Sequence, residues 1–515
     1  MTEFVTQQRW HSRICIVMSR DRGFALVVIA ITLLLPVALA IAVFPTAMSD
    51  TRELMAWGRQ FPLVTPVHPP MMAWIGGAVH RFLGSEAAPA IFVGQILLAV
   101  GAWYIYAILR VVIGLECAAL FAFLYATSFY VLFAPLSFAL NADILQVTSW
   151  PAILYHFLLA VRCDRRRHWL AFGIWSAVAA LTKYSAVMLF AAMAVAVFAV
   201  PEFRRVLKRP RLLIGVLVGI VLVLPHAAAL VAAHDRENAV KHAWHMFDAS
   251  RPVGIRLQGL GQLLMGYLGY LAPGSIIVAV GWWKGTFAFG FPSGEKPGVT
   301  WLAALRFLIV LNVAIQVALL FLIILGGLNY LARYDAPFAV LAVLALGPLL
   351  LPKRDRIEIE WRSITRLVAV LNPGIAAVVA ILYLTLTSHN IKQEPTAVAA
   401  RAVLADWNAR YPCGPAYITG FDRAAHGIGI EAGRTVTALS MVEIPSVPWF
   451  DDGELRTKGA VVVDYNPVSV TGIRRLFADA PLTEESVLTL PLRRTFAGTT
   501  VRYHYRFIPP RGCGE

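Results

Sequence analysis

The chain has 515 residues, 58% of them hydrophobic and 15% charged, with a mean hydropathy of +0.67 and a formal charge of +15. Soluble domains carry about 25% charge, and one globular core could not absorb so many apolar runs of about 20 residues, so a soluble protein is excluded. The basic residues stand in short clusters between apolar segments, which is the pattern of membrane orientation and not of a nucleic-acid-binding face.

Residues 1–22 are polar and basic, with Arg9, Arg13, Arg20 and Arg22. The apolar run 24–45 is longer than a signal-peptide core of about 7–15 residues. It reads as a first transmembrane helix, with residues 1–23 cytoplasmic by the positive-inside rule. A first external loop, 46–88, follows. Helices near 89–109, 115–134 and 144–160 return the chain to Arg162-Cys163-Asp164-Arg165-Arg166-Arg167, which is basic as an inside loop should be. Segment 169–200 lies between that cluster and the one at 204–211, so both its ends are inside and it must be a hairpin. Its turn falls near Thr182-Lys183-Tyr184. The first arm, about 13 residues or roughly 20 Å long, is short for a hydrocarbon core of about 30 Å, which sinks Lys183 into the external face. Further helices near 212–232, 258–281, 305–327, 335–351 and 367–388 make about eleven, with Lys353-Arg354-Asp355-Arg356 inside and the tail outside. The expected architecture is an α-helical polytopic membrane protein, transmembrane over 24–388.

Residues 389–515 change character. A helix-like stretch gives way to short β-rich runs at 416–418, 461–463 and 501–507, separated by glycine, proline and charge. This reads as a small external α/β domain. Cys15, Cys117 and Cys163 fall on or near the inside, whereas Cys413 and Cys513 both lie in the tail. In an exported domain these two can form a disulfide closing a loop of about 100 residues, worth roughly 4–5 kcal/mol in the chain-entropy model. No metal-type cysteine spacing is present.

Three groups of residues could carry chemistry. Asp50 stands where the chain leaves the first helix, followed by Trp57 and the proline-rich stretch from Phe61 to Pro70. A loop folded back on the bilayer, with aromatic rings at the interface, can shield such a carboxylate and raise its basicity. A solvated helix-boundary acid is the plain alternative. Asp143, in an external turn after Asn141, is either a helix cap or Asx-turn residue or a partner to Asp50. Two external acids suit a divalent cation or a general base for an acceptor hydroxyl. Finally, His68, Lys183, Lys241, His242, His245, Arg251, Arg256 and Arg333 lie in or near external loops, which should be poor in cations. A phosphate held at the membrane surface would account for them, although each histidine alone reads as structural.

These motifs resemble the membrane glycosyltransferases of the GT-C fold, in particular the family of protein O-mannosyltransferases and the lipid A aminoarabinose transferase. Asp50, Trp57 and His68-Pro69-Pro70-Met71-Met72-Ala73-Trp74 match its first external loop in order. Asn141-Ala142-Asp143 resembles its second acidic turn, Leu181-Thr182-Lys183-Tyr184 its lysine turn, and Arg333-Tyr334 its late Arg-Tyr. Thr51 stands where the family commonly has Glu, and Val67 where an acid often precedes His-Pro-Pro, which weakens a metal site at Asp50 and Asp143. The resemblance implies an inverting transfer of sugar from a polyprenyl-phosphate donor to an envelope acceptor (lipid A, another glycolipid, a polysaccharide or a protein) at the periplasmic face of a bacterial inner membrane. Asp50 and Asp143 would be catalytic. His68, Lys183, Arg251, Arg256 and Arg333 would face the donor phosphate, and Trp57, Tyr184 and Tyr334 the substrates. A lipid-linked sugar flippase would show internal repeats and mid-membrane charges, neither of which is found. A non-catalytic assembly protein would explain the tail but not the loop beginning at Asp50.

Overall fold

The computed structural model describes residues 23–113, 115–233, 239–285, 287–289, 299–352, 357–385, 388–496 and 498–513. The basic amino-terminal segment, Cys15 and the 353–356 cluster lie outside them, as do the side chains of Cys117 and Arg333.

Helix α1 (Gly23–Ala42) leads into two short helices, α2 (Ser49–Gly58) and α3 (Met71–Leu83). The bundle continues with α4 (Ala87–Ile113), α5 (Leu115–Ala126), α6 (Phe129–Phe138), α7 (Ala142–Cys163), α8 (Arg166–Ala180), α9 (Ala186–Ala199), α10 (Pro201–Arg204) and α11 (Pro210–Ala232). Next come α12 (Ala239–His245), α13 (Val253–Tyr270), α14 (Gly274–Trp283), strand β1 (Phe287–Phe289), α15 (Val299–Ile324), α16 (Ala336–Leu346), β2 (Leu350–Pro352) and α17 (Ile357–Leu384). Strands β1 and β2 form a small antiparallel pair.

Every apolar segment read from the sequence is helical, but the count changes. Among the described residues, 7 helices are long and apolar enough to cross a membrane, or up to 9 if each bent pair is one span. The segment expected at 258–281 is not one helix: α13 and α14 meet at 88°. Pro273 has no N–H to continue the ladder and biases Ala272 away from helical backbone. Helices α8 and α16, of 15 and 11 residues, are shorter than a full span.

Polar bonds cross the apolar interior between helices, as where Gln95 on α4 donates to the Val131 carbonyl on α6 and Thr148 on α7 to the Leu97 carbonyl on α4. Asn372 on α17 donates through Nδ2 to Thr32 Oγ1 on α1 (3.1 Å) and to the Thr127 carbonyl between α5 and α6 (3.0 Å).

The C-terminal unit is built from α18 (Thr396–Arg410), β3 (Tyr417–Gly420), α19 (Ala424–Glu431), β4 (Thr437–Ser440), α20 (Asp452–Lys458), β5 (Ala460–Asp464), α21 (Val470–Leu476), β6 (Ser486–Pro491) and β7 (Thr500–Ile508). Its sheet order is β4-β3-β5-β7-β6, parallel across β4-β3-β5 and antiparallel beyond. The central strand β5, Ala460-Val461-Val462-Val463-Asp464, is buried throughout, as a strand covered on both faces requires. Cys413 and Cys513 are disulfide-bonded, with Cα atoms 5.5 Å apart, and fasten the connection between α18 and β3 to the segment after β7.

Candidate active site

The segment 46–88, expected as a first external loop, is mostly helical. Helices α2 and α3 pack backbone to backbone through Gly58 and Gly77, where a Cβ on Gly58 would lie 1.8 Å from the Ala73 carbonyl oxygen. That contact folds the loop back on itself and fixes the direction of α2.

Asp50 is in the first turn of α2. Its neighbour Thr51 is fully buried and exchanges hydrogen bonds with Leu140, donating through Oγ1 to the carbonyl (3.1 Å) and accepting from the amide (3.2 Å). The residue that departs from the family pattern thus ties the Asp50 helix to the turn carrying Asp143. In that turn Asn141 is the N-cap of α7, accepting from the Ile144 amide at 2.9 Å. Capping therefore falls to Asn141, and Asp143 is left to accept from Lys183 Nζ at 2.6 Å. Lys183 Nζ also lies 4.7 Å from the centre of the Tyr334 ring. The Met71 amide, directly after His68-Pro69-Pro70, donates to the Leu181 carbonyl at the start of the lysine turn (2.9 Å). Tyr184 completes the circle: its hydroxyl is 3.2 Å from His226 Nε2, and His226 Nδ1 is 2.6 Å from the Leu63 carbonyl.

Asp50, Asp143, His68, Lys183, Tyr184 and Tyr334 are thus on segments that touch one another at one end of the bundle. Arg251 and Arg256 are used differently. Arg251 donates to the carbonyls of Met246 and Gly327 (2.9 and 2.6 Å), and Arg256 to those of Arg251, Ile324 and Ala249. Together they clamp the segment before α13 to the end of α15. Trp57 also departs from expectation. It is 2% exposed, buried against the C-terminal unit with its indole N–H donating to Glu443 (3.3 Å), so it is a junction residue and not an open interfacial ring.

The residues that sequence reasoning missed belong to that junction. Arg423, at the start of α19, donates to Asp50 Oδ1 at 3.2 Å and to Ser49, and its Nε is 3.5 Å from Glu53 Oε1. Both Ser49 and Arg423 address Oδ1; among the described residues Oδ2 of Asp50 has no hydrogen-bond partner. Burial pushes the Glu53 carboxyl up to about 7, against the pull of His426, with Glu443 and Asp50 adding to the rise and Arg423 opposing it. His426 is 3.0 Å from Glu443. Burial would lower this imidazole, but Glu443 and Glu53 hold it above its ordinary value. Between Asp50 and Glu53 on α2, Arg52 is paired with Glu394 at 2.7 Å, both side chains fully buried. Glu53 was legible as an acid three residues after Asp50, and His226 as a lone imidazole in an apolar run. Nothing in the tail's composition marks Arg423, His426 or Glu443.

As for a metal, Asp50 faces Arg423, Asp143 faces Lys183, and among the described residues no three His, Cys, Asp or Glu side chains gather to hold an ion. The residues present do not fit a divalent cation at Asp50 and Asp143.

The crystal structure of ArnT from Cupriavidus metallidurans in the apo state superimposes with a TM-score of 0.60 at 14% identity, covering 94% of this chain and 98% of that one. The fold is GT-C. The undecaprenyl phosphate-bound form of ArnT matches over the same shares with a TM-score of 0.56. Residues 67–228 match the family described as dolichyl-phosphate-mannose-protein mannosyltransferase, a stretch that begins just before His68 and holds Asp143, Lys183, Tyr184 and His226. The Archaeoglobus fulgidus oligosaccharyltransferase in its apo form aligns at 15% identity over 82% of this chain and 65% of that one, with a TM-score of 0.42. No curated relative matches at the sequence level.

Proposed function

We propose that this chain is a glycosyltransferase that moves a sugar from a polyprenyl-phosphate carrier to an envelope acceptor at the periplasmic face of a bacterial inner membrane. The observation that carries the reading is the meeting of the Asp50 helix, the Asp143 turn and the Lys183 turn at one end of an ArnT-like bundle. A lipid-borne donor needs that arrangement, because its chain must stay in the bilayer while its phosphosugar meets charged side chains at the surface. The ArnT structure bound to undecaprenyl phosphate supports a donor of this class.

In the proposed reaction the acceptor hydroxyl attacks the anomeric carbon and Oδ2 of Asp50 takes its proton. The bond from the anomeric carbon to the phosphate oxygen breaks, and the carrier phosphate leaves with the electron pair. Lys183, steered by Asp143 and the Tyr334 ring, stabilises the charge that builds on it, with His68 beside the same path. A single displacement inverts the anomeric centre. Candidate acceptors are lipid A, another glycolipid, a polysaccharide or a protein.

The test is transfer from a polyprenyl-phosphate sugar in membranes containing the protein or its Asp50→Asn variant, with mass spectrometry of the envelope lipids identifying sugar and acceptor. Loss of a general base should slow transfer on the order of 10²–10⁴-fold. Full activity in Asp50→Asn would remove the base assignment.

A further inference from the structure

Asp50 and Glu53 are three residues apart on α2 and so share one helix face. Two carboxylates so placed repel each other and call for a countercharge. In metal-dependent sites a divalent ion supplies it, drawing carboxylate oxygens around itself at about 2.0–2.6 Å. Here the countercharge is a guanidinium from another part of the chain. Arg423 spans the two acids, Nη1 toward Ser49 and Asp50 and Nε toward Glu53. A planar fork with fixed donors holds two acceptors at a set separation, which an ammonium cannot do.

The C-terminal unit delivers this side chain in a fixed register. Helix α19 lies against α2, its Gly427 so close to Arg52 that a Cβ would come within 2.5 Å of Nη1. Farther along, Arg59 donates to the Gly429 carbonyl at 3.0 Å, and His80 is 3.0 Å from the Ile430 carbonyl. Arg423 itself is 55% exposed, so it contributes charge at the mouth of the site and little to the packing of the junction. The second acid of the site, Asp143, likewise has an organic cation beside it, Lys183.

We propose that Arg423 is a positioning residue of the transfer reaction, holding Asp50 and Glu53 where a divalent cation would otherwise be needed, so that transfer is metal-independent and the C-terminal unit completes the site. The inference rests on the transferase reading for its kinetic consequence, but not for its charge consequence.

The test uses the purified full-length protein and two readouts. In the first, the wild type keeps its transfer rate in excess EDTA. Arg423→Ala loses turnover by about 10²-fold, with a smaller change in donor KM, and regains at least about tenfold when guanidinium or Mn²⁺ is added. Arg423→Lys falls between the two. In the second, Mn²⁺ binding is followed by electron paramagnetic resonance without any substrate. Arg423→Ala gains a bound ion that the wild type lacks, and Arg423→Ala/Asp50→Asn loses it again. Wild-type transfer abolished by EDTA and restored by Mn²⁺, full turnover in Arg423→Ala, or no rescue of that variant would each overturn the proposal. If the wild type transfers no sugar, the transferase reading fails by itself and the resonance measurement decides the charge substitution alone.

Discussion

Arg52→Ala is the perturbation whose size the structure sets most directly. Arg52 and Glu394 are both fully buried and meet at 2.7 Å. The guanidinium also donates to the carbonyls of Ala47 (2.7 Å) and Ile391. Burial alone would lower Arg52, but Glu394 beside it, with Tyr465 and Tyr503, holds it above its ordinary value. Burial would likewise raise Glu394, and Arg52, with His389, pulls it below the usual carboxylate range. Removing the arginine leaves a buried carboxylate facing only its other partners, chiefly His389 at 2.7 Å, and strips two carbonyls of a donor. Breaking one side of a buried pair costs about 3–5 kcal/mol, a shift of roughly 10²–10⁴ in the equilibrium holding the C-terminal unit on the bundle. The assay is limited proteolysis at the 385–395 connection together with thermal unfolding in detergent. Because the penalty in the variant is an uncompensated negative charge, it should shrink as pH falls and Glu394 takes up a proton. A loss below about 1 kcal/mol, or one that does not diminish toward acid, would refute this reasoning.

Lys183→Met should lower turnover on the order of 10²–10³-fold in the polyprenyl-phosphate sugar assay, with thermal stability changed far less; unchanged turnover would contradict the role given to Lys183. Glu53 is pushed up to about 7 from an ordinary value of 4.5, so between those values the folded protein binds a proton that the unfolded chain has released. Its contribution to stability is therefore greatest below the unfolded value and declines as pH rises to about 7, and Glu53→Gln should flatten that slope in thermal melts taken from pH 5 to 8. Cys413→Ser should destabilise the C-terminal unit by about 2–5 kcal/mol, read as earlier proteolysis, and wild-type protein should change gel mobility on reduction.

The apolar segments were legible because a hydrocarbon core demands length and composition, and both are written locally. The acids and the lysine turn were legible for a related reason: charges at the ends of apolar runs stand out, and the basic loops give a parity that puts them on one side. What could not be read is what depends on docking. Trp57 looked like an interfacial ring because nothing in its neighbourhood announces that Glu443 accepts from it. Arg251 and Arg256 looked like phosphate ligands because a sequence does not show backbone carbonyls left over at the end of α15. Arg423 is one of many arginines in a polar tail until α19 is laid against α2. The break between α13 and α14 was marked by Pro273, but a proline inside an apolar run is also compatible with one continuous helix, as Pro225 in α11 illustrates.

The bond network at Asn372 carries a consequence for biogenesis. Thr32 and the Thr127 carbonyl are made early in synthesis, yet the amide that joins them is on the last long apolar helix. Until that helix enters the bilayer, the nascent bundle lacks the polar tie linking its earliest spans. A chain interrupted before residue 372 would thus lack this tie between α1 and the α5–α6 turn, while the Thr32 hydroxyl would keep its bond to the Val28 carbonyl within its own helix.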